Sequence, residues 1–461
     1  ELSQDIRLKI GSYLDNVAKK EIAVGRVKID SVAINGKNLQ LFANMNWADF
    51  PFREDNVAEI YQGVSNILPA EFKGYKLEIR TNKRKIEELI PQTLRSKKDK
   101  KAKVFAPKET KPLVSNISTP YVPTNGLYNR HIAMWQSHGW YFEPKLDRWE
   151  WQRARIFQTV EDLYTQSYVV PFLVPMLENA GAYVTMPRER DFHSFELIVD
   201  NDAASTSRTG GKYSETGNWA EGSAPAFADA KESYEYQENP FQMGTSRQVA
   251  AVKGEKATAT ASWSTHVDED GEYAVYVSYS TLPNSTDCAQ YKVKYEGGEQ
   301  SFSVNQTMGG GTWVYVGKFP FKAGKEYSVE LSNSTPKGKV YREKTVVSAD
   351  AVKVGGGMGN IARKPSKEII SNMQSAKDLD NNPIEMPDFN YVSEVSGYSR
   401  IREGARYWLQ WAGFSDTIYS PNKNMNDYND DYMSRGDWVT WISGGSWPLG
   451  KCTLRRIKSK P

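Results

Sequence analysis

Between residues 196 and 355 the sequence alternates with a period of two, again and again. The runs are Phe195–Val199, Ala257–Trp263, Tyr273–Tyr279, Gln290–Tyr295, Thr312–Val316 and Glu326–Leu331. Glu296-Gly297-Gly298 and Gly309-Gly310-Gly311 are among the turns between them. Successive side chains of a strand point to opposite faces, so each run can bury one face and wet the other. Many short runs of this kind at close spacing predict an antiparallel β-sandwich. This feature constrains the chain more than any other.

The flanks have a different period. Residues 1–95 read as a small α+β domain, with helical spacing from Leu8 to Ala23 and from Asn56 to Leu68. Strands are expected at Arg26–Val32, Leu39–Phe42 and Tyr75–Ile79, with a short helix at Ile86–Ile90. Residues 96–124 form a basic, proline-containing linker that opens Ser96-Lys97-Lys98-Asp99-Lys100-Lys101. Residues 125–195 read as the start of an α/β domain. The strand His131–Trp135 leads to a helix over about Val160–Asn179, interrupted by Pro171 and Pro175, and then to the strand Ala182–Met186. Strand, helix, strand in that order implies a parallel pair with a right-handed crossover. Residues 356–447 return to mixed character, with helices expected at Arg402–Trp411 and Asn429–Trp441. Residues 448–461 are basic and lack a core pattern.

Composition excludes some functions. The 59 basic and 56 acidic residues leave a net charge of +3, which gives no reason to invoke nucleic acid. No run of about 18 apolar residues predicts a transmembrane helix. Two cysteines far apart, Cys288 and Cys452, build neither a disulfide framework nor a thiolate metal site. The chain opens on Glu1 rather than Met, so a leader is expected to have been removed and export is left open.

Four histidines limit the search for chemistry: His131, His138, His193 and His266. His138 stands in Ser-His-Gly beyond the C-terminal end of a predicted strand, where sites gather in open α/β sheets. A metal-ligand role and a polar-loop role suit it equally. Glu161 opens the next helix and can point to the same strand end; the alternative is a carboxylate favoured by the helix dipole. Arg188 and Asp191 follow the next strand, where an ion pair fixing the loop is expected. His131 lies at the opposite strand end and is expected to be structural. His193 and His266 receive no role. Asp427-Tyr428-Asn429-Asp430-Asp431 has the acidity of a calcium loop but lacks the glycine and terminal glutamate of an EF-hand.

His138-Gly139, a glutamate opening the following helix, Leu177-Glu178-Asn179-Ala180-Gly181-Ala182-Tyr183-Val184 and Arg188-x-x-Asp191 together resemble the zinc-dependent N-acetylmuramoyl-L-alanine amidases. The stretches Trp135–Tyr141 and Arg148–Arg155 are similar to amidases whose catalytic domain is split by an inserted module. Val199-Asp200-Asn201, Gly310–Val314 and Ala349–Lys353 resemble the golvesin C-terminal-like, or xanthan-lyase-like, domain, which gives the insert as residues 196–355. Glu403–Gly413 and Asp430–Trp438 resume the amidase-like pattern. Residues 1–95 resemble, by pattern, the small GerMN-type modules found beside cell-wall enzymes. The fold class expected is therefore multidomain α/β plus β: a small α+β domain, a split amidase-like α/β domain and an inserted antiparallel sandwich.

The resemblance implies one Zn2+, with His138 and Glu161 as ligands and Arg188, Asp191 and Arg435 as supporting residues. It implies hydrolysis of the amide bond between the lactyl group of N-acetylmuramic acid and L-alanine, in the periplasm or outside the cell. The sequence departs from the pattern at its end. No histidine follows His266, so the family's third ligand and catalytic glutamate lack counterparts, and the chain is expected to be incomplete and impaired. The alternative is a non-catalytic protein that binds peptidoglycan or another polysaccharide through the sandwich, with Trp263, Trp313 and Tyr315 as ring donors; packing in the core is the competing role for them. Zinc content discriminates the two readings.

Overall fold

The computed structural model describes all residues except 1, 22–24, 92–93, 97–112, 119–125, 129, 154, 157–158, 203–210, 366, 368–390 and 444–461. The chain divides into two compact units, residues 1–108 and 109–461.

The first unit holds α1 (Gln4–Glu21), β1 (Ile29–Asn35), β2 (Asn38–Ala43), α2 (Glu54–Ile67), β3 (Lys76–Thr81) and β4 (Arg84–Lys85). The strands form one sheet in the order β1-β2-β3-β4, with β2 and β3 parallel. Ile10 and Leu14 of α1 and Ile60 and Val64 of α2 meet Leu39, Leu41 and Ile79 of the sheet in one core. Their helical spacing puts them on one stripe of each helix.

The second unit begins with an addition to the sandwich. Residues 114–116, inside the span read as linker, form the edge strand β5 (Val114–Asn116), paired antiparallel with a strand described below. Then come β6 (His131–Ala133), the hairpin β7 (Trp140–Glu143) and β8 (Arg148–Trp151), and the short pair β9 (Arg155–Ile156) and β10 (Thr159–Val160). The helix that follows is segmented. α3 (Glu161–Tyr168) passes into a π-helical turn at Val169–Leu173, and α4 (Val174–Asn179) completes it. Pro171 lies in the π turn and Pro175 in the first turn of α4, where its missing N–H costs least. β11 (Tyr183–Thr185) returns parallel to β6, as the strand–helix–strand order requires.

The sandwich follows as β12 (Glu196–Val199), β13 (Lys212–Thr216), β14 (Ala220–Glu221), β15 (Arg247–Ala250), β16 (Thr260–Thr265), β17 (Gly271–Val277), β18 (Ala289–Tyr295), β19 (Gly298–Val304), β20 (Val314–Phe321), β21 (Tyr327–Ser332), β22 (Val346–Ala349) and β23 (Val352–Gly355). One sheet is ordered β13-β16-β21-β18-β19-β5 and the second β12-β23-β17-β20, with β14-β15-β22 as a third small sheet. Between them lies a core that includes Trp263, Val275, Tyr291, Val329 and Val354.

The second sheet is buried on both faces. Its outer face carries Ile198, Ala274, Tyr276 and Ala351, which pack against α5 (Ala405–Trp411), α6 (Asp416–Tyr419) and α7 (Asp427–Ser443) in a second core. This explains why Val352–Gly355 is buried at every position rather than alternating. Lys353 lies on that outer face with no exposed surface, and its Nζ is 2.7 Å from the Glu189 carboxylate. A buried charge survives only when paired, so this pair ties the sandwich to the loop after β11.

Candidate functional site

His138 lies in the loop between β6 and β7. Ser137 before it adopts a left-handed backbone, with φ 84°. Gly139 after it allows a close approach: a Cβ there would sit 2.7 Å from the carbonyl carbon of Glu403 and 2.8 Å from the Arg402 oxygen. The Gly404 N–H in turn donates to the Trp140 carbonyl at 3.0 Å. Glycine is thus required by the segment before α5, not by exposure of the imidazole.

Both ring nitrogens of His138 are engaged. Nδ1 is 3.0 Å from the Ser137 hydroxyl, and Nε2 is 3.0 Å from Nη2 of Arg153. A guanidinium only donates, so Nε2 accepts and Nδ1 carries the proton in the neutral ring. Burial, then Arg435 and Arg153, hold the His138 pKa below its ordinary value. Glu161 opens α3 and acts on the ring in the opposite direction. Its neighbour Asp162 is also close: Oδ1 lies 3.8 Å from Nδ1 of His138. Asp162 is 1% exposed, its Oδ2 accepts the Arg153 N–H at 3.2 Å, and its Oδ1 is buried without a hydrogen-bond partner. Burial pushes its pKa up to about 6. The sequence pattern points to Glu161, and the adjacent acid in Glu161-Asp162 is the signal for Asp162.

The supporting residues are arranged differently from the expected ion pair. Arg188 is fully buried and donates to the carbonyls of Ser137 and His138 and, at 2.8 Å, to that of Ile401. Burial lowers its pKa to about 10. Asp191 instead accepts from the backbone N–H and Nδ1 of His193, the latter at 2.6 Å, and from the Ala274 N–H. Arg188 therefore pins the His138 loop to the segment before α5, while Asp191 clamps the loop after β11 to β17. Arg435 pairs with Asp431, and Asp431 accepts from Gln152 Nε2 at 3.1 Å. Gln152 Oε1 accepts the Gly139 N–H at 3.1 Å, so Arg435 reaches the loop through two intermediaries. His131 is structural: its Nε2 accepts the Leu113 N–H at 3.1 Å.

The acidic run 427–431 is not a loop. It forms the first turn and more of α7, and its carboxylates face guanidinium groups. Asp427 lies 2.6 Å from Arg363 and 2.7 Å from Arg406, and Asp430 lies 3.2 Å from Arg406. These partners leave no calcium loop there.

For zinc, the residues around His138 supply part of a ligand set. Nε2, whose lone pair a metal would use, faces Arg153, and the Arg188 and Arg435 guanidiniums lie close enough to act on the groups around it. Among the described residues no group of three His, Cys, Asp or Glu side chains is disposed to hold a metal ion. A catalytic zinc takes about three protein ligands and an open position, a set that the described residues around His138 do not complete. The span 444–461, where the sequence departs from the amidase pattern and which holds Cys452, lies outside the described residues.

The rings proposed for sugars need correction. Trp263 is 0% exposed in the sandwich core, with its Nε1 donating to the Asp350 carbonyl at 3.0 Å. Trp313 is 6% exposed and packs on Phe227, Phe241 and Trp411. Neither presents a ring face. Trp263 lies on β16, and Trp313 immediately precedes β20. Tyr315 differs: Arg190 lies 3.7 Å over its ring, and it lines a cleft of about 1010 Å³ between the α3–α4 segment and β19–β20. Asn116, Gln166, Gln300, Lys318, Tyr128 and Phe192 also line it. Tyr128 is 47% and Phe192 62% exposed.

Comparison with known proteins finds similarity over part of the chain. The family model of the golvesin C-terminal domain matches residues 197–356. The xanthan lyase of Bacillus sp. (strain GL1) is 32% identical over 101 residues, 21% of this chain and 10% of that protein. The chain thus spans about a tenth of the length of that curated relative. Among solved structures, a Paenibacillus xanthan lyase aligns at 22% identity over 35% of this chain and 13% of its own, with a TM-score of 0.26. An exo-β-1,3-galactanase from Phanerochaete chrysosporium aligns at 15% identity over 34% of this chain and 32% of its own, with a TM-score of 0.20. No helix among the described residues is long and apolar enough to cross a membrane.

Proposed function

We propose that this chain is a non-catalytic polysaccharide-binding protein of the cell envelope, holding glycan in the cleft beside its golvesin-type sandwich. The cleft carries the reading. Its volume, about 1010 Å³, suits a ligand of a few sugar rings. Gln300 and Asn116 offer paired donors and acceptors for hydroxyl groups, and the exposed rings of Tyr128 and Phe192 offer apolar faces. The golvesin match over 197–356 and the stretch shared with a protein named xanthan lyase support a polysaccharide as the ligand class. The test is co-sedimentation of the full chain with peptidoglycan sacculi and retardation in gels containing xanthan. Retention by at least one of them is expected, weakened by Gln300→Ala; no retention by either defeats the reading.

A second reading rests on His138, Glu161 and Asp162 lying together at the α3 N-terminus. It is a zinc-dependent N-acetylmuramoyl-L-alanine amidase in which His138 and Glu161 are two of the zinc ligands. His138 and Glu161 then hold zinc weakly, and zinc would supply Lewis acidity and an activated water. Stoichiometric zinc that disappears in His138→Ala, with release of muropeptides from sacculi, would favour this reading over the first.

A further inference from the structure

We propose that the polar sheet face of the first unit binds an acidic polysaccharide, one whose sugars carry carboxylates. This face shares no residue with the cleft beside the sandwich, and the proposal does not depend on the reading given for that cleft. Alternation sets the face. Leu39, Leu41 and Ile79 point into the core with α1 and α2. Asn38, Gln40 and Phe42 of β2 and Glu78 and Arg80 of β3 therefore point to the other side of the sheet. The register sets Asn38 against Lys76, Gln40 against Glu78 and Phe42 against Arg80, with Arg80 against Lys85 of β4. Ala33 and Asn35 of β1 continue the row beside Gln40 and Asn38.

The side chains of this face converge on Glu78. Lys85 Nζ lies 2.7 Å from its carboxylate, Arg80 Nη1 3.2 Å and Lys76 Nζ 4.0 Å, and Gln40 Nε2 donates to it at 3.1 Å. Three cations thus surround one carboxylate, so positive charge is in excess. Lys37 lies at the same edge, where its carbonyl accepts the Lys76 N–H at 2.8 Å. The acids beyond β4 are occupied: Glu87 accepts the Tyr61 hydroxyl, and Glu88 accepts the Lys85 N–H. Arg80 and Lys85 stand directly opposite each other, an unfavourable cross-strand pairing. Glu78 offsets part of that repulsion, and a bound anion offsets more. The Lys76 side chain is 71% exposed, and Asn35 and Asn38 are exposed beside it. Amides pair with hydroxyl groups and ammonium with carboxylate, a combination that suits acidic sugars. Single-stranded nucleic acid calls for several stacking rings, and among the described residues named on this face the one ring is Phe42.

The experiment measures retention of the full chain on immobilised polygalacturonate, with dextran as the uncharged control. Retention on polygalacturonate and not on dextran is expected, fading in about 0.5 M NaCl as screening shortens the reach of the charges. Lys76→Glu should weaken it about tenfold, and Glu78→Gln, which removes the central negative charge, should strengthen it about threefold. No retention of the wild type at low salt, equal retention on dextran, or a Lys76→Glu chain that binds like the wild type overturns the proposal. A folded Glu78→Gln chain that binds more weakly also overturns it, because a purely structural carboxylate would act that way. Should Glu78→Gln fail to fold, the exposed Lys76→Glu decides. Tighter binding of duplex DNA than of polygalacturonate overturns the sugar class.

Discussion

The sandwich and the α/β part that flanks it are built to different degrees of closure. In the sandwich, Leu197, Trp263, Val275, Tyr279 and Val354 have no exposed surface, and both faces of the β12-β23-β17-β20 sheet are covered. In the flanking part, the parallel sheet has two strands among the described residues, β6 and β11. Its helical segment leaves Tyr164, Tyr168, Phe172 and Met176 more than half exposed. A closed core makes a stable module, whereas a site needs convergent groups. The His138 loop has the carbonyl clamps and the orphaned acid of a site but an incomplete donor set. The cleft against the sandwich has lining and volume, which is why the proposed ligand binding is placed there.

If the two regions are coupled as described, breaking their buried tie has the largest effect. Lys353→Ala leaves Glu189 fully buried without its cation. That should cost about 3–5 kcal/mol, read as a lower urea midpoint in one transition shared by probes in both regions. Probes that separate would show that the sandwich stands alone.

Next comes Glu403, which adjoins the His138 loop through the Trp140 bridge. It is fully buried with Oε1 unpartnered, and burial pushes its pKa from 4.5 up to about 7. The folded state therefore binds this proton more tightly than the unfolded chain does. Stability from this group is fully present below pH 4.5 and declines as pH rises towards 7, by about 3 kcal/mol. Glu403→Gln should flatten that decline in unfolding curves between pH 4.5 and 7.5; an unchanged slope would remove the group from the account.

Gly139→Ala tests the close approach of the Glu403 backbone. Forcing a Cβ to 2.7 Å should cost about 1–3 kcal/mol in thermal or urea unfolding. A neutral result would mean that the segment before α5 is free to move. The smallest effect is on binding alone. Phe192→Ala should weaken polysaccharide retention by about 1 kcal/mol, roughly fivefold in Kd, and leave Tm nearly unchanged, because this ring is 62% exposed.

Much of this architecture was legible in the sequence. The six alternating runs of the sandwich all became strands, and the parallel β6–β11 pair followed from strand–helix–strand order. Pro171 marked the π turn, and Pro175 the start of α4. What escaped was non-local. The edge strand Val114–Asn116 is held by pairing with Phe302–Val304, nearly two hundred residues away. Arg188 and Asp191 are three apart in sequence yet serve different clamps. Alternation could place Trp263 on a strand and Trp313 beside one, but could not say which face is covered twice. The cleft was invisible because its lining comes from stretches scattered between residues 114 and 401.

Site-resolved hydroxyl-radical footprinting of the full chain, with and without bound polysaccharide, compares the two regions in one measurement. Glycan held in the cleft should protect Tyr128 and Phe192 and leave Trp135, beside the His138 loop, as reactive as in the free protein. Protection at Trp135 with Tyr128 and Phe192 unchanged would contradict the assignment and return the function to His138.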